Sequence, residues 1–218
     1  MAFGQLASYT VPVQNGNHLL YTSDGVFTEG RIYCINANTF PVRIRIAAIG
    51  SSSISDLQSS DYLIYNQEVG VGERFVSDSL YLKDGESLVV KSDLEDVSFS
   101  LRGRQTVGVG TDHVGIISAF SPVTNVKIGA GQTVYNLPES LVETDMNLFV
   151  TNTGPDYIEV SVGVGTSIAR KNYILYNERI EPGHFVSQTN VKLGPGEVIF
   201  AKSTHTTVNI VALGKTHE

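Results

Sequence analysis

Side chains that can bind metal, move protons or attack a substrate are the natural starting point. The chain has five histidines, His18, His113, His184, His205 and His217. Metal sites draw such ligands from one turn or face, at spacings like HxH or HExxH. No histidine has a partner at such a spacing, so no metal ligand is assigned. Asp112-His113 is an adjacent acid–base pair, but it falls in a glycine-rich junction that cannot fix its geometry. Serines are plentiful, yet no G-x-S-x-G elbow presents one as a nucleophile. Glycoside hydrolysis needs two carboxylates across a groove. Glu68, Glu73, Asp78, Asp84 and Glu86 qualify by type alone.

Three further stretches could bind something. "GVGER" (70–74) and "TVGVGTDHVG" (106–115) look like phosphate loops. A phosphate cradle sits between a strand and a helix and is followed by Lys-Ser or Lys-Thr, which neither stretch offers. "SDLEDV" (92–97) carries carboxylates that could hold calcium through oxygen ligands. Cys34, in "IYCIN", is the single cysteine; it excludes an intrachain disulfide and reads as a small core hydrophobe. The expectation is no catalytic, cofactor-binding or metal-binding residues, and no enzyme activity.

The elements explain why. The sequence alternates with period two almost throughout, as in "VRIRIAAI" (42–49), "VSFSLRG" (97–103), "YIEVSVGV" (157–164) and "VNIVALG" (208–214). Alternation marks half-buried strands, and Asp84-Gly85 marks a tight turn between two of them. Only 51–60 and 137–146 could hold a helical turn, and neither sustains a helical apolar stripe, so both are predicted as loops or short 3₁₀ pieces. The chain also repeats itself. Tyr62, Tyr65, Asn66, Gly85, Glu86, Lys91, Ser92 and Gly103 recur as Tyr173, Tyr176, Asn177, Gly196, Glu197, Lys202, Ser203 and Gly214, at a spacing of 111 residues. Phe75-Val76-Ser77 recurs as Phe185-Val186-Ser187, and Gly50 aligns with Gly165. A repeat of about 100 residues with turns every 8–12 is the spacing of a β-sandwich. The prediction is therefore an all-β protein. It has two tandem antiparallel β-sandwich units, jelly-roll or Ig-like, at 1–107 and 116–218.

Local readings follow from this pattern. Tyr62 and Tyr65, three apart in a strand, should point to opposite faces. Gly85 and Gly196 should supply the positive φ of turns. Gly103 and Gly214 should end strands. Glu86 and Glu197, each after a turn glycine, should be surface residues, and Glu73 aligns with His184 in a turn. The repeat of "SDLEDV" is "STHTTV", without a carboxylate, which confines any calcium site to the first unit.

Composition excludes several partner classes. The 15 basic residues against 22 acidic ones give a net charge of −7, and basic residues cluster only at Arg43/Arg45 and Arg170-Lys171. Phosphate backbones need clustered positive charge, so nucleic acid is not an expected partner. No apolar run reaches a membrane-spanning length, and no basic-then-apolar start marks a secretory signal. Charged residues are only 17 % of the chain, which leaves a surface of Ser, Thr, Asn and Gly that is cheap to desolvate against other subunits.

"SYTVP", "IYCINANTFPVRIRIAAIG", "DYLIYNQEVGVGERF" and "LKDGESLVVKS" together resemble the small β-sandwich virion proteins of tailed bacteriophages, cyanophages and related marine phages. That resemblance implies a mechanical role on the particle, decorating or cementing the capsid, or alternatively in the neck or tail. It implies a virion location after assembly in the host cytoplasm, and partners among other virion proteins and copies of itself as a homo-oligomer. No ligand-binding residue comes with it, since the shared residues belong to turns and core. A rival reading is a host-surface glycan-binding module: the chain has ten tyrosines that could stack on sugars, but no tryptophan.

Overall fold

The computed structural model describes residues 3–107, 113–120, 132–136, 143–167, 169 and 172–217. The strands of the first half are β1 (Phe3–Thr10), β2 (His18–Thr22), β3 (Phe27–Asn36), β4 (Val42–Ile49), β5 (Tyr62–Val69), β6 (Arg74–Val76), β7 (Leu80–Leu82), β8 (Ser87–Ser92) and β9 (Val97–Thr106). Those of the second half are β10 (His113–Phe120), β11 (Gln132–Asn136), β12 (Glu143–Asn152), β13 (Ile158–Gly165), β14 (Tyr173–Ile180), β15 (Phe185–Leu193), β16 (Val198–Ser203) and β17 (Val208–His217). The segment 51–60 carries two 3₁₀ turns, Ile54–Asp56 and Ser59–Asp61, the second running one residue past it. Residues 108–112 and 137–142, two stretches predicted as loop, lie outside the described residues, and 143–146 already belongs to β12.

Each half folds as a roll of two sheets. The front sheet of the first roll runs β1-β9-β3-β6, with β7 also paired to β3, and its back sheet runs β2-β8-β4-β5. The second roll repeats both orders, as β10-β17-β12-β15 and β11-β16-β13-β14. Interleaving first, last, third and sixth strands in one sheet, and second, eighth, fourth and fifth in the other, is the two-Greek-key jelly roll. β15 takes the place of β6 and β7 together, and β11 takes that of β2. Every pairing is antiparallel.

Alternation builds the cores. In β3 and β4, Ile32, Cys34, Ile44 and Ile46 are fully buried, while Arg31 and Arg43 face out. They meet Leu88, Val90, Phe99 and Leu101 from across the sandwich. The second roll packs Leu148, Val150, Val160, Val162, Ile199, Ile210 and Ala212 the same way. Burial pushes the Cys34 thiol up to about 12, so it stays a neutral apolar group.

Register corrects the sequence alignment in one place. Ile44 pairs with Ser92, and Val160 pairs with Ser203. Strand β4 therefore matches β13 at a spacing of 116, which sets Ile49, not Gly50, opposite Gly165 in the alignment. The same spacing matches Asn36 with Asn152. Asn36 Nδ2 donates to the carbonyls of Phe40, Val69 and Gly70, and its Oδ1 accepts from the Asn38 amide. Asn152 Nδ2 donates to Asp156 and Ile180, and its Oδ1 accepts from Gly154. A fully buried amide in each roll thus ties strand end to loop, satisfying carbonyls that would otherwise be stranded.

Three local expectations change. Gly103 and Gly214 sit inside β9 and β17, not at their ends. A Cβ at Gly103 would lie 2.0 Å from the Glu29 carbonyl oxygen, and at Gly214 2.4 Å from that of Asp145. Close approach of neighbouring backbones excludes a side chain there. Glu86 is buried, 1 % exposed: its Oε2 accepts from the Lys83 amide and closes the Asp84-Gly85 turn. Tyr62 and Tyr65 lie on one side, with ring centroids 5.1 Å apart. A bulge is responsible: Ile46 pairs with Ile64 but Ala47 with Tyr62, which leaves Leu63 as the extra residue between the two tyrosines. The extra residue turns the strand by one face. Ile174, the extra residue where Val162 pairs with Leu175 but Gly163 with Tyr173, does the same for Tyr173 and Tyr176, 5.3 Å apart. The turn glycines Gly85 and Gly196 do take positive φ, 82° and 73°.

Candidate functional site

The residues singled out for chemistry are scattered. His18 shares a 3.0 Å hydrogen bond with the Tyr9 hydroxyl, and His205 one of 3.1 Å with Thr204 Oγ1. His184 is exposed in a turn. Strand pairing sets His113 opposite Thr216, beside His217, and Asp112 lies outside the described residues. Three of the candidate carboxylates serve the backbone: Glu73 Oε2 accepts from the Gly70 amide, Asp84 Oδ1 from the Gly25 amide and Glu86 from the Lys83 amide, while Asp78 accepts from the Ser187 hydroxyl. Asp93, in the acidic loop, accepts from the Arg43 amide. Among the described residues no three His, Cys, Asp or Glu side chains group so as to hold a metal.

One polar patch does assemble, on the back sheet of the first roll. The Arg45 guanidinium lies 3.9 Å above the Tyr65 ring, and its Nε donates to Asn66 Oδ1 at 2.6 Å. A depression of about 170 Å³ lined by Asn15, Arg43, Arg45, Asn66, Lys91 and Asp93 opens beside it. Burial and the neighbouring Arg45 charge hold Lys91 below the usual lysine range. The second roll keeps the tyrosines and a lysine, with Lys202 Nζ 5.4 Å from both ring centres, but has Ser161 at the Arg45 position.

The larger assembled surface is the contact between rolls. β12 and β17 are buried on both faces: Leu148, Val150 and Ile210 point into their own core, while Phe149, Val211 and Leu213 join the core of the first roll. The first roll presents a flank made of β5, β6, β7 and the 3₁₀ turn Ser59–Asp61. Thr151 Oγ1 donates to the Leu63 carbonyl at 2.6 Å, and Asn147 Nδ2 to the Ser79 carbonyl at 2.8 Å. Asn209 Nδ2 donates to the Ser59 carbonyl, and Ser187 Oγ to Asp78. Phe75 and Phe185 meet edge to face at 6.2 Å. Buried Asn and Thr side chains thus cap open carbonyls of the flank, which lowers the cost of covering an irregular edge, although Asn209 Oδ1 is itself buried without a partner among the described residues.

An ionic bridge rims this contact. Glu29 Oε2 takes Arg104 at 2.7 Å and Lys215 of the other roll at 3.4 Å. Burial raises the Glu29 pKa, but hydrogen bonding to Arg104 and the charges of Lys215 and Arg104 outweigh it and hold the carboxyl below its usual range. A depressed folded-state pKa stabilises above the unfolded pKa, and that share is lost as pH falls through the folded value. The rolls are therefore expected to loosen in acid as pH falls below the ordinary glutamate range, and Glu29→Gln to remove that acid-dependent part. Thermal melts of both proteins across a pH series check this.

The strand order defines the class: a tandem pair of jelly rolls, the second docked by its front face onto the flank of the first. No family model matches the chain, and no curated protein sequence does. Among solved structures, the STIV MCP is similar over 98 % of this chain and 95 % of that one, with 10 % identity and a TM-score of 0.42. Broad Bean Stain Virus is similar over 98 % and 89 %, with 9 % identity and a TM-score of 0.34. A CBM22 tandem domain of Paenibacillus barcinonensis Xyn10C is similar over 96 % and 86 %, with 12 % identity and a TM-score of 0.28.

Proposed function

We propose that this protein is a non-enzymatic structural component of a tailed-phage virion. In this reading it decorates or cements the capsid surface through repeated contacts with other virion proteins and with its own copies, and the halves 1–107 and 116–218 act as two related grips. The observation that carries the reading is the roll–roll contact, in which the outer face of a sheet serves as a docking surface for a protein flank. The sequence resemblance to small phage virion proteins supports the same role, and placement in the neck or tail would use the same contacts.

The test is location. Mass spectrometry of purified particles and density in their reconstruction should place the chain on the capsid surface. Removing residues 116–218 is expected to abolish incorporation; a truncated chain that decorates particles normally overturns the bridging role. A second reading, glycan binding, is favoured by the tyrosine pair beside Arg45, Asn66 and Asp93. Saturable binding to one glycan on an array, lost in Tyr65→Ala, would favour it over the first.

A further inference from the structure

The contact inside the chain is heterologous: the flank of the first roll meets the front face of the second. Because both rolls share one topology, each chain also carries the complementary surfaces at its two ends. These are the front face of the first roll and the β14 flank of the second. We infer that chains join head to tail, the first-roll front face of one copy receiving the β14 flank of the next. This inference rests on the reading above that copies of the chain contact each other, and it assigns the surfaces.

Register identifies the matching residues. Thr151, which bonds Leu63 inside the chain, corresponds to Ile35, and Leu63 corresponds to Ile174. Leu63 is 0 % exposed beneath the second roll, whereas Ile174 is 39 % exposed, and Ile35 is 53 % exposed. Isolated exposed apolar residues are ordinary. Two at the positions that touch within the chain are a matched pair. The receiving face has relief: Tyr33 borders two shallow depressions of about 220 and 250 Å³, one walled by Phe3 and Arg102, the other by Ile35 and Ser98. Phe3 stands 88 % exposed at its rim.

Composition fits a contact made late. Where the second roll has Phe149, Val211 and Leu213, the first has Tyr33, Ser100 and Arg102 at the same register. A permanent contact can be apolar, but a face that waits in water must keep polar groups. A heterologous contact propagates to a closed ring or an open filament, and repetition makes a weak contact hold.

The experiment uses the full chain. Ile35→Cys/Ile174→Cys should give disulfide-linked multimers on mild oxidation, since Cys34 is buried and its thiol is held neutral. Ile35→Asp and Ile174→Lys should each weaken self-association, read by analytical ultracentrifugation, by about tenfold or more. Mixing these two variants should restore it, because one's Asp face then meets the other's Lys flank. Circular dichroism should show both variants folded, as expected for exposed positions. Self-association unchanged by both substitutions, or cross-links that avoid this pair, overturns the head-to-tail assignment while leaving the virion reading intact. A chain monomeric at every concentration overturns the assignment too. Its absence from purified particles is the separate result that overturns the virion reading.

Discussion

Phe149→Asp is expected to part the two rolls while leaving each folded. Phe149 is fully buried, yet it belongs to the core of the first roll and not to that of its own. A carboxylate there would be buried without a partner, which a protein avoids by exposing it. The milder Phe149→Ala should cost about 3–5 kcal/mol of docking, the usual range for emptying a buried phenylalanine site. Tyr33 holds the matching position on the first roll, where it is half-buried and faces outward. Tyr33→Ala should therefore cost less than about 1 kcal/mol. Calorimetry checks this: Phe149→Asp should split one melting transition into two, and small-angle scattering should show a larger radius of gyration. A single unshifted transition would mean that the rolls are held by something other than this face.

Gly103→Ala and Gly214→Ala come next in expected size, at about 3 kcal/mol each, in the range of overpacking a rigid site. Gly103 pairs with Gly4 on one side and Gly30 on the other, and Gly214 with Gly115 and Met146. The atoms in the way are backbone, so no rotamer change relieves the clash: a Cβ would meet Gly30 Cα at 2.5 Å and Met146 Cα at 2.7 Å. Gly50 is the control. A Cβ there meets nothing within 4 Å, so Gly50→Ala should leave the denaturant midpoint unchanged. Equal midpoints for all three variants would show that the strands can spread at Gly103 and Gly214.

The physics of alternation is local, which is why much of this was readable in the sequence. Period-two patterns assign strands one at a time, and the repeat carries one pattern over to the other half. The turns at Gly85 and Gly196 needed only their dihedral preference. The bulge at Leu63 was less legible. "YLIYN" gives no sign of an extra residue, since the bulge exists only against the pairing of β5 with β4. The burial of Glu86 is illegible for a similar reason: a carboxylate after a turn reads as solvated, and only the folded turn brings it back onto the Lys83 amide.

Docking of the rolls was decided by tertiary structure alone. A signal for it did stand in the text. "MNLFVTN" and "VNIVALG", the latter predicted as an alternating strand, carry apolar residues on both faces, where "RIYCIN" and "SFSLRG" set Arg31, Tyr33, Ser98, Ser100 and Arg102 outward with Ile35 as the one large apolar residue among them. Strands buried on both sides lose their alternation. What no local pattern contains is which surface covers the second face. That depends on two preformed rolls matching as bodies, through Leu63, Ser59 and Ser79 carbonyls that become neighbours of β12 and β17 only once both rolls are built.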